Sequence, residues 1–140
     1  MALRWGSRIA ALIIAAVLVS GCAQGPADDP AAKAVGESHA AVATMALAVR
    51  LSLDGRATSQ STQVMIDDSV ETVADAQQSL MTSSGTDPAR LQLAESVIGP
   101  ALTEGRRIAD QGPDALGAAD LQRLRELEQE LADAVEELGG

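Results

Sequence analysis

The stretch Ala118–Leu138, AADLQRLRELEQELADAVEEL, decides the fold of this chain. Leu124, Leu127, Leu131, Ala134 and Leu138 recur at alternating spacings of three and four, with Leu121 and Val135 on the flank. Residues three and four apart share one side of an α-helix, so these positions form a single apolar stripe. The charged residues between them fall in opposite-sign pairs three apart: Asp120–Arg123, Arg123–Glu126 and Arg125–Glu128. Each such pair supports a helix by roughly a few tenths of a kcal/mol. A helix with one apolar stripe must bury it against something, and the rest of the chain offers only more helices.

Three earlier stretches carry the same signature. Asp29-Pro30 is an N-cap followed by proline at the first helical position, and Val35, Val42 and Val49 then recur every seven residues. Met45, Ala46 and Leu53 widen that stripe, and Asp54-Gly55 ends the helix, with Arg50 complementing its dipole. Ile66, Val70, Val73, Gln77 and Leu80 form a second seam, closed by Ser83-Ser84-Gly85. Thr86-Asp87-Pro88 opens a third stretch, with Leu91, Ala94, Ile98, Ala101, Gly105 and Ile108 on its seam and Arg106 and Arg107 near its end. Gly99-Pro100 lies inside it, where proline removes a hydrogen bond and predicts a bend or two short helices. Gln111-Gly112-Pro113 separates it from the last helix.

The expected fold is all-α, an antiparallel four-helix bundle with helices at about 31–53, 59–81, 88–110 (kinked near Gly99-Pro100) and 118–138. The competing arrangements are a three-helix bundle with the first helix loosely attached, and helices that pair between chains. β-branched residues are scattered, and no two-residue hairpin turn is flanked by alternation.

Ahead of the bundle the character of the chain changes. Residues 1–8 contain Arg4 and Arg8 and no acid, and Ile9 to Val19 is an unbroken apolar run. That run is well short of the ~20 residues a spanning helix needs. Val19-Ser20-Gly21-Cys22 follows: an aliphatic residue, two small ones, then the only cysteine of the chain. Ala23 to Asp29 is small, polar and without periodicity, as a flexible spacer is.

Residues 1–22 resemble the lipoprotein class of bacterial signal peptides, with Val19, Ser20, Gly21 and Cys22 as the lipobox. The resemblance implies that the Cys22 sulfur is acylated with diacylglycerol and that a dedicated peptidase cuts between Gly21 and Cys22. The domains would then be a signal peptide over 1–21, a tether over 22–30 and a helical bundle over 31–140. It implies a cell-membrane location, lipid-anchored on the extracytoplasmic side, with no cofactor beyond the covalent acyl lipid.

Without Arg4 and Arg8, the chain from Cys22 keeps 8 basic residues against 20 acidic ones, a net charge of about −12. Such a surface repels nucleic acid and the anionic face of a membrane. The sole aromatic, Trp5, falls in the signal segment, so the domain has no ring on which a sugar or base could stack. With Cys22 alone, no internal disulfide can form.

Catalytic constellations are missing from the pattern. His39 is the only histidine and has no partner at a metal-ligand spacing. Asp68, Glu71 and Asp75 share one helix face beside Asp67, an arrangement that reads as a solvated acidic face rather than a metal site. Glu126, Glu128, Glu130, Asp133, Glu136 and Glu137 are spread around the last helix. No serine lies in a nucleophile elbow or a Ser-x-x-Lys motif, and no glycine-rich phosphate loop occurs. The expectation is a non-enzymatic envelope lipoprotein without a metal site, whose bundle meets another envelope protein. The alternatives are a carrier or sensor holding an apolar ligand inside the bundle, and an oligomeric coiled-coil spacer.

Overall fold

A computed structural model describes residues 29–139. It contains four helices: α1 (Pro30–Leu53), α2 (Ser59–Thr82), α3 (Pro88–Gln111) and α4 (Ala118–Gly139), with a 3-10 turn at Pro113–Ala115. No strand occurs among the described residues. The protein is an all-α four-helix bundle. The lipobox Val19–Cys22 and most of the tether lie outside the described residues.

Local chemistry sets the helix ends. The Asp29 carboxylate accepts the Ala31 N–H at 3.0 Å, capping α1, and Thr58 Oγ1 accepts the Ser61 N–H at 3.1 Å at the start of α2. Asp87 occupies the cap position of α3 but its side chain bonds no N–H there, so Pro88 at the first helical position sets that start. α1 ends where Gly55 turns to φ +68°, letting Arg56 N–H reach the Leu51 carbonyl at 2.8 Å. Gly112, at φ +82°, breaks α3 from the 3-10 turn in the same left-handed region.

α3 continues through Gly99-Pro100 as one helix, so the alternative of two short helices does not occur. Pro100 leaves the Ser96 carbonyl without its usual donor. Both residues are exposed, so water can take that place. One turn on, Thr103 Oγ1 donates to the Gly99 carbonyl at 3.0 Å.

The core is aliphatic throughout. Val35, Val42, Met45 and Val49 of α1, Ile66, Val73 and Leu80 of α2, Ile98 and Ile108 of α3, and Leu124, Leu127 and Leu131 of α4 are its largest fully buried side chains. α1 packs against all three other helices and carries the most buried positions, so it is the hub of the bundle and not a loose attachment. Its buried Ala31, Ala34, Ala41, Ala46 and Ala48 keep the helix slim enough for this. Gly105 does the same for α3: a Cβ there would meet Val70 Cγ2 at 3.1 Å and Met45 Sδ at 3.3 Å.

Three hydroxyls interrupt this apolar interior, and of these Ser69 donates to the Met65 carbonyl at 2.7 Å. Ser38 and Thr62 are fully buried, and neither hydroxyl has a hydrogen-bond partner. An unsatisfied buried hydroxyl costs about 1–3 kcal/mol, and serine is also a weaker helix former than alanine. Ser38→Ala is therefore expected to stabilise the domain by about 1 kcal/mol. A urea titration followed by helical circular dichroism reads this directly. A midpoint that falls would mean the hydroxyl is satisfied in solution.

Candidate functional site

The end of the bundle where α1 begins is built around Arg90. Its guanidinium donates from Nε to Asp29 Oδ2 at 2.8 Å, and from Nη2 to the same carboxylate and to the Leu138 carbonyl. One side chain of α3 thus ties the first cap of α1 to the last turn of α4. The contact also gives a helix C-terminal carbonyl the cation it favours. Asp29, at the start of the described chain, is therefore tied into the bundle.

At the opposite end, Arg107 of α3 bonds Glu104 Oε1 at 2.6 Å, Gln111 Oε1 at 2.6 Å and Asp120 Oδ1 at 2.5 Å. Asp120, in the first turn of α4, also accepts the Gly117 N–H at 2.8 Å. Ser59 Oγ donates to Asp114 at 2.6 Å, and Gln63 Nε2 reaches the Ala109 carbonyl at 3.4 Å. The start of α2 therefore lies beside the end of α3 and the turn that follows it.

Burial by itself would raise the Asp29 and Asp120 carboxyls. Hydrogen bonds from Arg90 and Ala31, and from Arg107 and Gly117, outweigh it and hold both below their ordinary 3.8. Arg107 is correspondingly pushed further up by its bonds to Glu104 and Asp120. A carboxyl whose folded pKa is depressed contributes stability that is complete above the unfolded value and lost as pH falls through the folded one. The two clasps therefore contribute fully at neutral pH, begin to weaken as pH falls toward the ordinary carboxylate range, and open only below it.

Arg90→Ala is expected to cost about 1 kcal/mol at neutral pH, the half-exposed pair being discounted for solvent screening. It should also shrink the loss of stability between pH 5 and pH 2.5, because Asp29 then titrates nearer its ordinary value. Urea midpoints of both proteins across that range check the sign. A variant that loses as much stability in acid as the wild type would remove Arg90 as the cause.

The other candidate residues are dispersed. His39 is half-buried and faces the α1–α4 groove, beside Arg125, Glu128, Gln129 and Ala132. Asp67, Asp68, Glu71 and Asp75 are all exposed on α2. Asp68 edges a groove of about 400 Å³ between α1 and α2, whose walls include Ala40, Ala41 and Met65. Among the described residues, no three His, Cys, Asp or Glu side chains converge as a metal-ion site. Of the three sequence pairs on α4, only Arg123–Glu126 closes, at 3.3 Å. Asp120 is taken instead by Arg107, and Arg125 and Glu128 stand apart along the α1–α4 groove.

Sequence reasoning missed both clasps, since Arg90–Asp29 and Arg107–Asp120 join residues far apart or across a turn. A charged residue within the first turn of a helix, as Asp120 is, was the available signal. No known protein family, curated protein or solved structure matches the chain.

Proposed function

We propose that the chain is a lipid-anchored, non-catalytic lipoprotein of the bacterial cell envelope, its helical bundle serving as a protein-interaction or structural module. The observation that carries this reading is the Val19-Ser20-Gly21-Cys22 box, placed after a charged segment and a short apolar run and seven residues before Asp29. Fully extended, those seven residues span about 24 Å. The bundle would then stand close to the membrane on a short leash, with Asp29, Arg90 and Leu138 at its anchored end.

Two features accord with a lipid as the means of attachment. No helix among the described residues is long and apolar enough to cross a membrane. The net charge of about −12 from Cys22 onward opposes electrostatic adsorption to anionic lipid. The carrier reading has less support: Gly99 is half-buried and Pro100 exposed, so the interruption of α3 lies toward its outer side and not in the interior.

The test is metabolic labelling with an alkyne fatty acid in bacteria producing the chain, followed by detergent phase partition and intact-mass measurement. The reading requires a labelled, detergent-partitioning protein that begins at Cys22. An unlabelled protein in the aqueous phase, beginning elsewhere, would refute it. In-cell cross-linking of the labelled protein then reads the interaction role through the partner it captures.

A further inference from the structure

The three connections between helices differ in chemistry. The α1–α2 turn holds Asp54 and Arg56, and the α3–α4 connection holds Asp114. From Ala76 to Thr86, through the last turns of α2 and into the turn before α3, the chain has no charged residue. Met81, in the last turn of α2, is 67% exposed, more than Leu47, Leu53 or Val64. Thr82, Ser84, Gly85, Pro88 and Ala89 near it are exposed as well. Ser79 and Ser83 line one groove with Asp29 and Pro30, so this turn lies at the end of the bundle where α1 begins.

We infer that this end of the bundle, with Met81 and the α2–α3 turn foremost, rests on the lipid bilayer. The inference builds on the lipid-anchor reading, under which the bilayer holds Cys22. The seven residues from Cys22 to Asp28 then keep Asp29 within about 24 Å of that surface. α1, α2 and α3 have 24 residues each, and at 1.5 Å per residue each is about 36 Å long. A leash shorter than the bundle cannot invert it, so the far end, with Leu53 and the α3–α4 connection, is held away from the lipid.

Charge selects this end over the acidic sides. α2 has four acids, Asp67, Asp68, Glu71 and Asp75, and no base. α4 has six acids and no base from Glu126 onward. A bundle laid on either helix would press such a row against anionic headgroups. Standing on the turn, it holds Asp75 about 9 Å from Met81 along the helix and Asp67 about 21 Å. The screening length in physiological salt is about 8 Å. Asp87 is the single acid adjoining the turn, while Glu136 and Glu137 belong to α4, which α1 and α3 separate from α2. A methionine among uncharged hydroxyls suits the headgroup boundary, where the thioether chain meets acyl carbon and the hydroxyls meet ester and phosphate oxygens. The tether supplies the proximity that the net charge opposes.

The described core runs from Ala31 to Leu138, so the chain from Cys22 to Gly140 is the protein to test. Its only cysteine couples it to a maleimide lipid in vesicles of phosphatidylcholine and phosphatidylglycerol. That bond is made chemically, so the outcome does not depend on acylation in cells, which the labelling experiment decides separately. The chain from Cys22 has no tryptophan. Met81→Trp, Leu47→Trp and Leu53→Trp therefore each give one emitter, at the turn, on the flank of α1 and at the far end. Brominated acyl chains are expected to quench Met81→Trp at least twofold and to leave the other two nearly unquenched. In the unsubstituted protein, the amides from Thr82 to Thr86 should exchange at least threefold more slowly on vesicles than in solution. Met81→Asp should cancel that slowing. Unchanged helical circular dichroism shows that each variant folds. Equal quenching at all three positions, stronger quenching at position 47 or 53, or no quenching at any of them overturns the proposal. So does turn exchange that vesicles leave unchanged, or slowing that survives Met81→Asp.

Discussion

Cells producing the Cys22→Ala chain are expected to contain no acylated form of the protein and no species cut before residue 22. Cys22 is the only sulfur nucleophile in the chain, so no neighbouring residue can take the thioether in its place. Cys22→Ser should behave the same way, because the modification under the proposed reading is made on sulfur. Two or three acyl chains, at roughly 0.8 kcal/mol per buried CH₂, hold a small protein on a bilayer, and one chain holds it only marginally. Removing the attachment atom therefore removes nearly the whole membrane affinity of the processed domain. The variant should be found as full-length precursor retaining its apolar run, or as a soluble domain cut elsewhere. Alkyne-lipid labelling and intact mass separate the two. A Cys22→Ala protein of normal mature length that stays in the membrane fraction would end the lipoprotein reading. The folded domain itself should be indifferent, since its core starts at Ala31.

How much of the bundle could be read beforehand varied from helix to helix, for physical reasons. In α4 every residue of the seam, from Leu124 to Leu138, is buried and its two flanking residues are half-buried. Leucines separated by charged residues leave the period unambiguous. In α1 the valines marked the stripe, but the breadth of burial was hidden. Alanine favours helix anywhere and costs little when exposed, so Ala31, Ala34, Ala41 and Ala48 announced nothing in the sequence. They are what makes α1 the centre of the bundle. Leu53 was placed on the stripe and is 44% exposed, because the helix ends there and its last turn projects past the core.

Polar positions were less legible than apolar ones. Ser38 falls on the same alternating spacing as Val35, Val42, Met45 and Val49, so its burial follows from the period once polarity is ignored. Asp120 and Arg123 have the right spacing for a pair within α4. Tertiary structure overrides it, since Asp120 turns back toward Gly117 and meets Arg107 arriving from α3. Helix spacing defines which partners are in reach, and the chain that arrives from elsewhere decides which is taken. The same holds for Arg125 and Glu128, whose spacing matches a pair that does not form.

The sharpest test of the seam is Leu131→Ala, expected to lower the unfolding free energy by about 2–5 kcal/mol. Leu131 is fully buried in the middle of α4, with Leu124 and Leu127 before it and Ala134 and Leu138 after it. Truncation loses the transfer energy of the side chain and leaves a void that fixed helices on either side cannot close. A domain of this size has a total stability of about 5–15 kcal/mol, so one substitution removes a large share of it. The loss should be near the upper part of its range because no aromatic ring lies in the core to swing into the gap. Leu47→Ala, at a surface position of similar chemistry, should change monomer stability by about 0.5 kcal/mol or less. The domain has no tryptophan, tyrosine or phenylalanine, so the probe must be circular dichroism of its helices. In urea, the Leu131→Ala midpoint should fall while the slope, which reports the surface exposed on unfolding, stays the same. Equal effects at positions 131 and 47 would mean that the stripe from Leu124 to Leu138 does not face the core.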